Sequence, residues 1–364
     1  MKKYVYEISG EKFEVFDNEN SKVVKSDNYN YVFNKKTGFF ARWGKTQDED
    51  PVFCPVAPEI LDIEISTGGC PNNCSFCYKN NTNESPVNMT LEDFKTIIDK
   101  FPKILCQVAF GITGIQTNPD FIPMMKYCRE IGIIPNFTLS GIDLTDDILK
   151  QVTPLIGAVA VSAYETNKNI CYDTVKKFTD QGIDQCNIHL LISEENIDFV
   201  YEVINDVQND ERLSKLNAVV FLGVKPKGRA KGLFHSLSIK KFKKLLKECF
   251  DKKIRMGFDS CTAPKFEKTI KEMDITEEDK QKFLMCSESC ESSNFSSYLN
   301  VKGEYWNCSF SENEDGIEPV NVLEIDDFTK DVWYSNSVKQ FRQKILETSI
   351  DGCRFCPVFP EINN

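Results

Sequence analysis

The sequence has fewer positive than negative charges, and it has no long hydrophobic run. Lys and Arg total 44 against 55 Asp and Glu, which gives a net charge of −11 at pH 7. A negative surface attracts neither nucleic acid nor an anionic membrane, so we expect neither as a partner. No stretch approaches the roughly 20 apolar residues of a membrane helix. The opening residues, MKKYVYEIS, also lack the apolar core of a signal peptide, so we expect a cytoplasmic protein.

Histidine is scarce, whereas cysteine is abundant. The chain has 2 histidines and 15 cysteines in 364 residues. In a cytoplasmic protein so many cysteines seldom form disulfides, so we expect metal ligands and buried thiols. Some of the cysteines sit in apolar strand or helix patterns, which predicts small core residues. These are Cys106, Cys128, Cys171, Cys186 and Cys249.

The periodicity of the sequence divides the chain into three parts. Residues 1–55 read as short strands separated by turn residues and predict a small N-terminal β extension. Residues 56–275 alternate apolar runs with amphipathic stretches, which predicts an α/β fold, a partial (β/α)6 TIM-like barrel. Residues 276–364 lose this pattern and form a cysteine-rich tail. The predicted barrel strands are 61–66, 106–112, 133–139, 157–163, 186–192 and 218–224, with a further candidate at 254–258.

Three cysteines follow the first predicted barrel strand, in GGCPNNCSFCYKNN, residues 69–82. The loops after the carboxyl ends of strands hold the active sites of α/β barrels, so this is the position of an active-site loop. A structural zinc site needs four closed ligands, and here three thiols stand without a nearby histidine. A [4Fe–4S] cluster held by Cys70, Cys74 and Cys77 would instead leave one iron open to a substrate or cofactor. A zinc knuckle and reduced structural thiols are the alternatives.

The C-x3-C-x2-C spacing, with the aromatic Phe76 before the third cysteine, resembles the signature of the radical S-adenosylmethionine enzymes. The resemblance implies that the open iron binds the amino and carboxylate groups of S-adenosylmethionine. It also implies that one electron, delivered by a donor such as flavodoxin or ferredoxin, cleaves the cofactor to methionine and a 5′-deoxyadenosyl radical. The protein would exclude water and aim the radical at one substrate hydrogen.

The resemblance extends to glycines and polar residues after the later predicted strands. Related enzymes have a Gly-Gly-Glu element after the second strand, and here residues 111–116 read GITGIQ, without the acid. Gln116 or backbone carbonyls would then recognise the amino group of the cofactor. For each polar residue, a satisfied interior hydrogen bond is the alternative role. The predicted cofactor-binding residues are Phe76, Gly111, Gly114, Gln116, Ser140, Ser162, Asn187, His189 and Val224.

The tail segment 290–308, CESSNFSSYLNVKGEYWNC, resembles the C-x9–15-G-x4-C element of SPASM and twitch extensions. Its alternating residues predict a hairpin that turns at Lys302-Gly303 and brings both thiols to one end. The resemblance implies a second, auxiliary [4Fe–4S] cluster, and the tail is closer to the shorter twitch form. Its predicted ligands are Cys290, Cys308, Cys353 and Cys356. Cys286 is a spare thiol, and a zinc site on the same ligands is the rival.

Asp259 and Cys261 lie in GFDSCTAP, at the end of the last predicted strand. A thiol in this place would donate a hydrogen atom to a substrate radical, and the carboxylate would act as a base. A core thiol or a turn residue is the alternative for Cys261. Lys225 and Arg229 form a basic loop after the sixth strand, which either holds a substrate carboxylate or peptide backbone or is solvated surface.

Enzymes with the motifs that this chain resembles mostly modify peptides or proteins. We therefore expect a radical enzyme that crosslinks, oxidises or epimerises a peptide or small protein. A dehydrogenase or rearrangement enzyme acting on a small molecule is the second hypothesis, and a noncatalytic iron–sulfur electron carrier or binding protein is the third. The β extension lacks the helices of the usual peptide-recognition module, and strand addition is the way it would bind a leader peptide.

Overall fold

The computed structural model describes residues 1–46, 49–285, 287–314, 316–348 and 354–363. The N-terminal strands are β1 (Lys2–Ile8), β2 (Glu11–Asp17), β3 (Ser21–Lys25), β4 (Asn30–Asn34) and β5 (Phe40–Trp43). They form an antiparallel sheet in which each strand pairs with the next along the chain. In β2, Phe13 and Val15 are buried on one face of the sheet, as the alternation of side chains along a strand requires.

A larger sheet carries the middle of the chain. The next strands are β6 (Ile60–Glu64), β7 (Ser66–Thr67), β8 (Val87–Asn88), β9 (Gln107–Gly111), β10 (Ile134–Leu139), β11 (Val159–Ser162), β12 (Cys186–Ile192), β13 (Ala218–Gly223) and β14 (Met256–Phe258). All but β7 and β8, which pair with each other, form a parallel sheet in the order β14-β13-β12-β11-β10-β9-β6. The predicted α/β fold is confirmed as a fold with a large parallel sheet, and its closure into a partial barrel stays a prediction.

Helices follow most of the parallel strands. They are α1 (Leu91–Lys100), α2 (Phe121–Glu130), α3 (Asp146–Val152), α4 (Lys168–Asp180), α5 (Ile197–Asn209), α6 (Ile239–Asp251), α7 (Ala263–Lys271), α8 (Glu277–Met285) and α9 (Asn336–Glu347). In α1, residues three and four apart bury one face, and Thr90 caps the first turn by accepting a hydrogen bond from the Asp93 amide. No helix in the described ranges is both long and apolar enough to span a membrane.

The tail extends the parallel sheet beyond β6. Strand β15 (Ser296–Leu299) pairs in parallel with β6, β16 (Glu304–Trp306) pairs antiparallel with β15, and β17 (Val320–Asn321) pairs antiparallel with β16. The predicted turn between β15 and β16 is present, and Gly303 has a φ of +76°, which favours glycine. The hairpin therefore lies directly beside the strand that precedes the cysteine loop.

Buried polar contacts fix the N-terminal sheet to the rest of the chain. The Lys22 ammonium, which is 1% exposed, donates a hydrogen bond to the Leu105 carbonyl at 2.5 Å. Arg42 forms ion pairs with Glu59 at 2.8 Å and with Glu291 at 2.9 Å. One arginine thus joins the N-terminal sheet to the start of β6 and to the tail.

Candidate active site

The loop between β7 and β8 places Cys70, Cys74 and Cys77 at the carboxyl end of β6. All three thiols are partly exposed. Burial raises the pKa of Cys74 to about 11, and the charges of Cys70 and Cys77 add to this increase. The charge of a neighbouring thiolate therefore opposes ionisation of Cys74, and the cationic core of an iron–sulfur cluster would remove that opposition. Their donor chemistry fits an iron–sulfur cluster.

Arg229 holds the cysteine loop in place. Its amide donates a hydrogen bond to the Cys77 carbonyl at 3.0 Å, its Nε to the Cys74 carbonyl at 2.8 Å, and its Nη1 to the Asn81 carbonyl at 2.9 Å. Within the described chain its buried Nη2 has no hydrogen-bond partner, which leaves a donor for an anionic group beside the thiols. The sequence predicted either a substrate contact or solvated surface for Arg229. The side chain is engaged with the backbone of the cysteine loop rather than solvated, and a substrate contact stays a prediction.

Glycine is required next to Arg229, where the two loops touch. Gly228 has a φ of +58°, and a Cβ atom there would stand 2.4 Å from the Cys77 carbonyl oxygen and 2.6 Å from the Tyr78 carbonyl oxygen. A contact this short with backbone atoms forces the loop to move. The cysteine loop therefore keeps its conformation only because residue 228 is a glycine.

Phe76 packs among aromatic rings at the edge of the cysteine loop. Its ring centroid lies 5.3 Å from that of Tyr164 and 5.6 Å from that of Phe234. Burial raises the pKa of Tyr164, and the charge of Cys74 adds to this effect, so the tyrosine hydroxyl lies near the thiol. Phe76 thus anchors the loop against residues that follow β11 and β13, and its contact with a cofactor stays a prediction.

The stretch predicted to recognise the amino group lies against Asp143, in the loop that follows β10. The Gln116 amide donates a hydrogen bond to Asp143 Oδ2 at 3.1 Å, and Gln116 Nε2 donates to the Asp143 carbonyl at 2.7 Å. A Cβ atom on Gly114 would stand 2.6 Å from the same carboxylate. The buried Asp143 Oδ1 has no hydrogen-bond partner among the described residues. The stretch 111–116 has no acid of its own, and Asp143 brings a carboxylate to it, which the sequence analysis missed.

Ser140 and Ser162 lie at the carboxyl ends of β10 and β11. Their carbonyls both accept hydrogen bonds from Asn167 Nδ2, each at 3.2 Å, so one side chain ties the two strand ends together. Ser140 is buried, and its hydroxyl has no partner in the described part of the chain. A buried hydroxyl without a partner is a candidate contact for a polar ligand. Gly111, at the end of β9, pairs with Glu64 of β6.

Asn187 and His189 lie on the same face of β12. Asn187 Oδ1 accepts a hydrogen bond from Asn217 at 2.9 Å, and His189 Nδ1 lies 3.5 Å from the Thr138 hydroxyl. The Asn187 side chain is therefore already engaged inside the protein. Burial lowers the pKa of His189 to about 4, although the charge of Asp259 opposes this shift. At neutral pH the imidazole is neutral. Val224 is buried after β13.

Replacing His189 with Gln is expected to reduce the loss of stability in acid. The unfolded chain protonates His189 below its ordinary pKa of about 6.5, whereas the folded chain keeps it neutral down to about pH 4. Stability is therefore lost as the pH falls through that window, by about 2 kcal/mol at pH 4.5. Urea unfolding at pH 7.0 and 4.5 measures the difference for both proteins. If His189→Gln lost as much stability between pH 7.0 and 4.5 as the unsubstituted protein, His189 would not be the source of the acid sensitivity.

Asp259 lies just after β14 and is surrounded by donors. Its carboxylate is ion-paired with Lys225, accepts a hydrogen bond from the Thr262 hydroxyl, and lies 3.4 Å from the Gly223 amide nitrogen. Burial is the largest influence on the pKa of Lys225 and alone would lower it, but the charge of Asp259, the hydrogen bond to Asp259 and the charges of Cys261 and Cys356 together raise it. The lysine is therefore charged at neutral pH. Burial also raises the pKa of the Cys261 thiol well above its usual value, so the sulfur carries its proton.

The predicted auxiliary ligands lie on the tail. Cys290 precedes β15, Cys308 follows β16 and Cys356 lies in the C-terminal segment, and all three thiols are partly exposed. Burial raises the pKa of Cys290 to about 12, with further contributions from the charges of Cys308 and Cys356. Cys353 and the spare Cys286 lie outside the described residues. Nowhere in the described ranges are three or more His, Cys, Asp or Glu side chains arranged so that they could hold a metal ion.

A buried polar cluster joins the cysteine loop to the tail. Lys79, two residues after Cys77, donates a hydrogen bond to the Tyr298 hydroxyl at 2.6 Å and forms ion pairs with Glu64 at 3.1 Å and with Glu312. A lysine between a buried and a half-buried carboxylate holds both in place, because moving it away leaves two carboxylates without their cation. These contacts therefore join the cysteine loop to the segment that carries β15 and Glu312.

Comparison with known proteins identifies the fold. No protein-family model and no curated protein matches the sequence. Solved structures do match: SuiB of Streptococcus suis has a TM-score of 0.65 at 12% identity, with 90% of each chain covered. The anSMEcpe structure with bound AdoMet has a TM-score of 0.58 at 15% identity, with 84% of this chain and 88% of that chain covered. The protein therefore has the α/β fold of SuiB and anSMEcpe.

Proposed function

We propose that the protein is a radical S-adenosylmethionine enzyme that modifies a peptide. The observation that supports this most is the C-x3-C-x2-C motif at the carboxyl end of β6, in the fold of SuiB and anSMEcpe. SuiB has been solved with S-adenosylmethionine and with the precursor peptide SuiA, and anSMEcpe with AdoMet and a peptide. That structural similarity and the three thiols of this chain are the grounds on which we propose the same cofactor and a peptide substrate for it.

In this proposal Cys70, Cys74 and Cys77 hold a [4Fe–4S] cluster, which when bound supplies the electron that cleaves S-adenosylmethionine. Arg229 keeps the loop carbonyls fixed and offers its free Nη2 to the anionic cluster. Asp143 presents a carboxylate to the ammonium group of the cofactor, in place of the acid that residues 111–116 lack. The open hydroxyl of Ser140 is a further polar contact, and the aromatic ring of Phe76 helps to exclude water.

On the substrate side, Asp259 is the proposed base. Lys225 and Thr262 hold its carboxylate in a fixed orientation, in which it would accept a proton from the substrate. Cys290, Cys308, Cys353 and Cys356 of the tail would hold the auxiliary [4Fe–4S] cluster, which when bound would supply an acceptor for the electron lost when a peptide radical is oxidised. Crosslinking, oxidation and epimerisation are all outcomes of a radical made on a peptide side chain or α-carbon. A flavodoxin or ferredoxin is the proposed electron donor.

Anaerobic incubation of the reconstituted protein with S-adenosylmethionine and dithionite tests the proposal. We expect 5′-deoxyadenosine and methionine by mass spectrometry, and a change in the electron paramagnetic resonance spectrum when S-adenosylmethionine is added. An unchanged spectrum and no 5′-deoxyadenosine, from a sample with full iron content, would leave a noncatalytic electron carrier as the better account. Recovery of the nucleoside without modification of any peptide would favour a small-molecule substrate.

A further inference from the structure

We propose that the open edge of strand β1 pairs with the same strand of a second copy of this chain. The segment concerned is KKYVYEI, Lys2–Ile8. Such pairing joins two whole proteins and is independent of the proposed function. Three features of the strand favour a second copy as its partner: an open edge, an apolar face that is incompletely covered, and a charge pattern that is complementary to itself.

Strand β1 is the end strand of the N-terminal sheet. Among the described strands it has one neighbour, β2, with which it pairs along its whole length, from Lys2 opposite Asp17 to Ile8 opposite Glu11. About half of the backbone N–H and C=O groups of such a strand point away from the sheet, where they lack a strand partner. The edge of β1 is therefore available to one more strand.

The apolar face of β1 is covered less completely than that of β2. Tyr4 and Tyr6 face the hydrophobic core, as their cross-strand partners in β2 do. Those partners, Val15 and Phe13, are 0% exposed, whereas both tyrosines are partly exposed. On the other face of the strand, Val5 is 49% exposed. A further strand beside β1 would remove apolar surface from water on both faces of the sheet.

The charges of β1 match those of a second β1 that runs in the opposite direction. With a two-fold axis at Val5, Lys3 of each copy lies opposite Glu7 of the other copy, and all three side chains are exposed on the outer face. On the inner face, Tyr4 lies opposite Tyr6 of the other copy. Opposite charges and aromatic pairs directly across two strands stabilise a sheet. Lysine at a strand edge normally hinders pairing, but in this register Lys3 meets a carboxylate.

The side chains of β2 on the outer face agree with this register. Glu7 lies opposite Lys12 of β2, so in the joined sheet it would stand between Lys12 of its own chain and Lys3 of the other copy. The Lys3 ammonium lies 5.2 Å from the centroid of the Phe16 ring and 2.9 Å from a Glu14 carboxylate oxygen. Its side chain is still 49% exposed, and it therefore has room to contact a second carboxylate.

Mass measurement of the full-length chain tests the pairing. One strand from each copy makes a small interface, so we expect a reversible dimer, with twice the monomer mass of 41.7 kDa at about 100 µM and the monomer mass at about 1 µM. Val5→Lys brings two ammonium groups together at the two-fold axis and should leave a monomer at both concentrations. The matched control is Val52→Lys, because Val52 is also exposed, at 50%, and lies outside β1. This variant should dimerise as the unsubstituted chain does.

Charge reversal tests the register. Lys3→Glu and Glu7→Lys each place like charges opposite one another, and each is expected to weaken association by about tenfold or more. An equimolar mixture of the two variants should dimerise again, because each facing pair then joins an ammonium group to a carboxylate. Repulsion within one chain, such as that between Glu14 and the new carboxylate of Lys3→Glu, cannot produce this recovery, since each chain keeps its own substitution.

Three results would overturn the pairing. An unsubstituted chain that stays monomeric at about 100 µM would leave an extended peptide as the occupant of the β1 edge. A dimer that survives Val5→Lys would be held by another surface. A mixture of the two charge variants that stays monomeric would exclude this register. Circular dichroism of each variant separates loss of association from loss of folding.

Discussion

Replacing Cys77 with Ala is expected to abolish cleavage of S-adenosylmethionine, so that 5′-deoxyadenosine formation falls to the level of a protein-free control. Two thiolates cannot hold a cluster that needs three protein ligands, and the open iron is lost with it. The assay is the rate of 5′-deoxyadenosine formation under dithionite, normalised to protein. Iron content of the same sample should fall by about four atoms.

Cys128→Ala is the control for this substitution. Cys128 is fully enclosed in α2 and has no part in the proposed site, so its removal is expected to leave cleavage within a few-fold of the unsubstituted protein. If Cys77→Ala retained cleavage at the rate of Cys128→Ala, the cysteine loop would not be the place where S-adenosylmethionine reacts. Each of Cys70→Ala and Cys74→Ala should behave as Cys77→Ala does.

Replacing Gly228 with Ala is expected to weaken binding of the first cluster without touching a thiol. The added methyl group would stand 2.4 Å from the Cys77 carbonyl oxygen, so the cysteine loop must shift. Such overpacking costs about 1–3 kcal/mol, which corresponds to about 5- to 150-fold in the binding equilibrium of the cluster. The measurement is the fraction of iron retained against a chelator, followed together with S-adenosylmethionine cleavage.

The control variant Gly232→Ala separates the effect of the steric clash from the effect of the left-handed backbone conformation. Gly232 belongs to the same loop and has a φ of +75°, but a Cβ atom there meets nothing within 4 Å. Both substitutions carry the cost of a left-handed residue, about 1 kcal/mol, and Gly228→Ala alone adds the collision. Equal retention of iron in the two variants would show that contact with Gly228 does not shape the cysteine loop.

The parallel sheet could be predicted because its strands are apolar on both faces and are separated by amphipathic helices. AVVFLG of β13 and VAVS of β11 are such strands, and each starts near its predicted position. The cysteine loop could be placed for the same reason, since it follows β6 directly. Local patterns of this kind are written in consecutive residues, and a single sequence is sufficient to find them.

Arg229 and Asp143 could not be assigned their contacts from the sequence. Arg229 follows β13 but binds a loop that follows β6, and Asp143 follows β10 but contacts residues that follow β9. Their partners depend on which strand ends lie next to each other at the edge of the sheet. The pattern of neighbouring residues in the sequence does not contain this information. The parallel pairing of β15 with β6 could not be predicted for the same reason, because the two strands are adjacent in the sheet but far apart in the sequence.

That pairing has a consequence for any shortened form of the chain. Because β15 covers one side of β6, a fragment that stops before the tail would present the backbone amides and carbonyls of Ile60–Glu64 as an open sheet edge. Such edges recruit further copies, so the fragment should self-associate before its chemistry could be measured. By pairing with β6, the tail would thus protect the sheet edge from aggregation, in addition to any redox function of its cysteines.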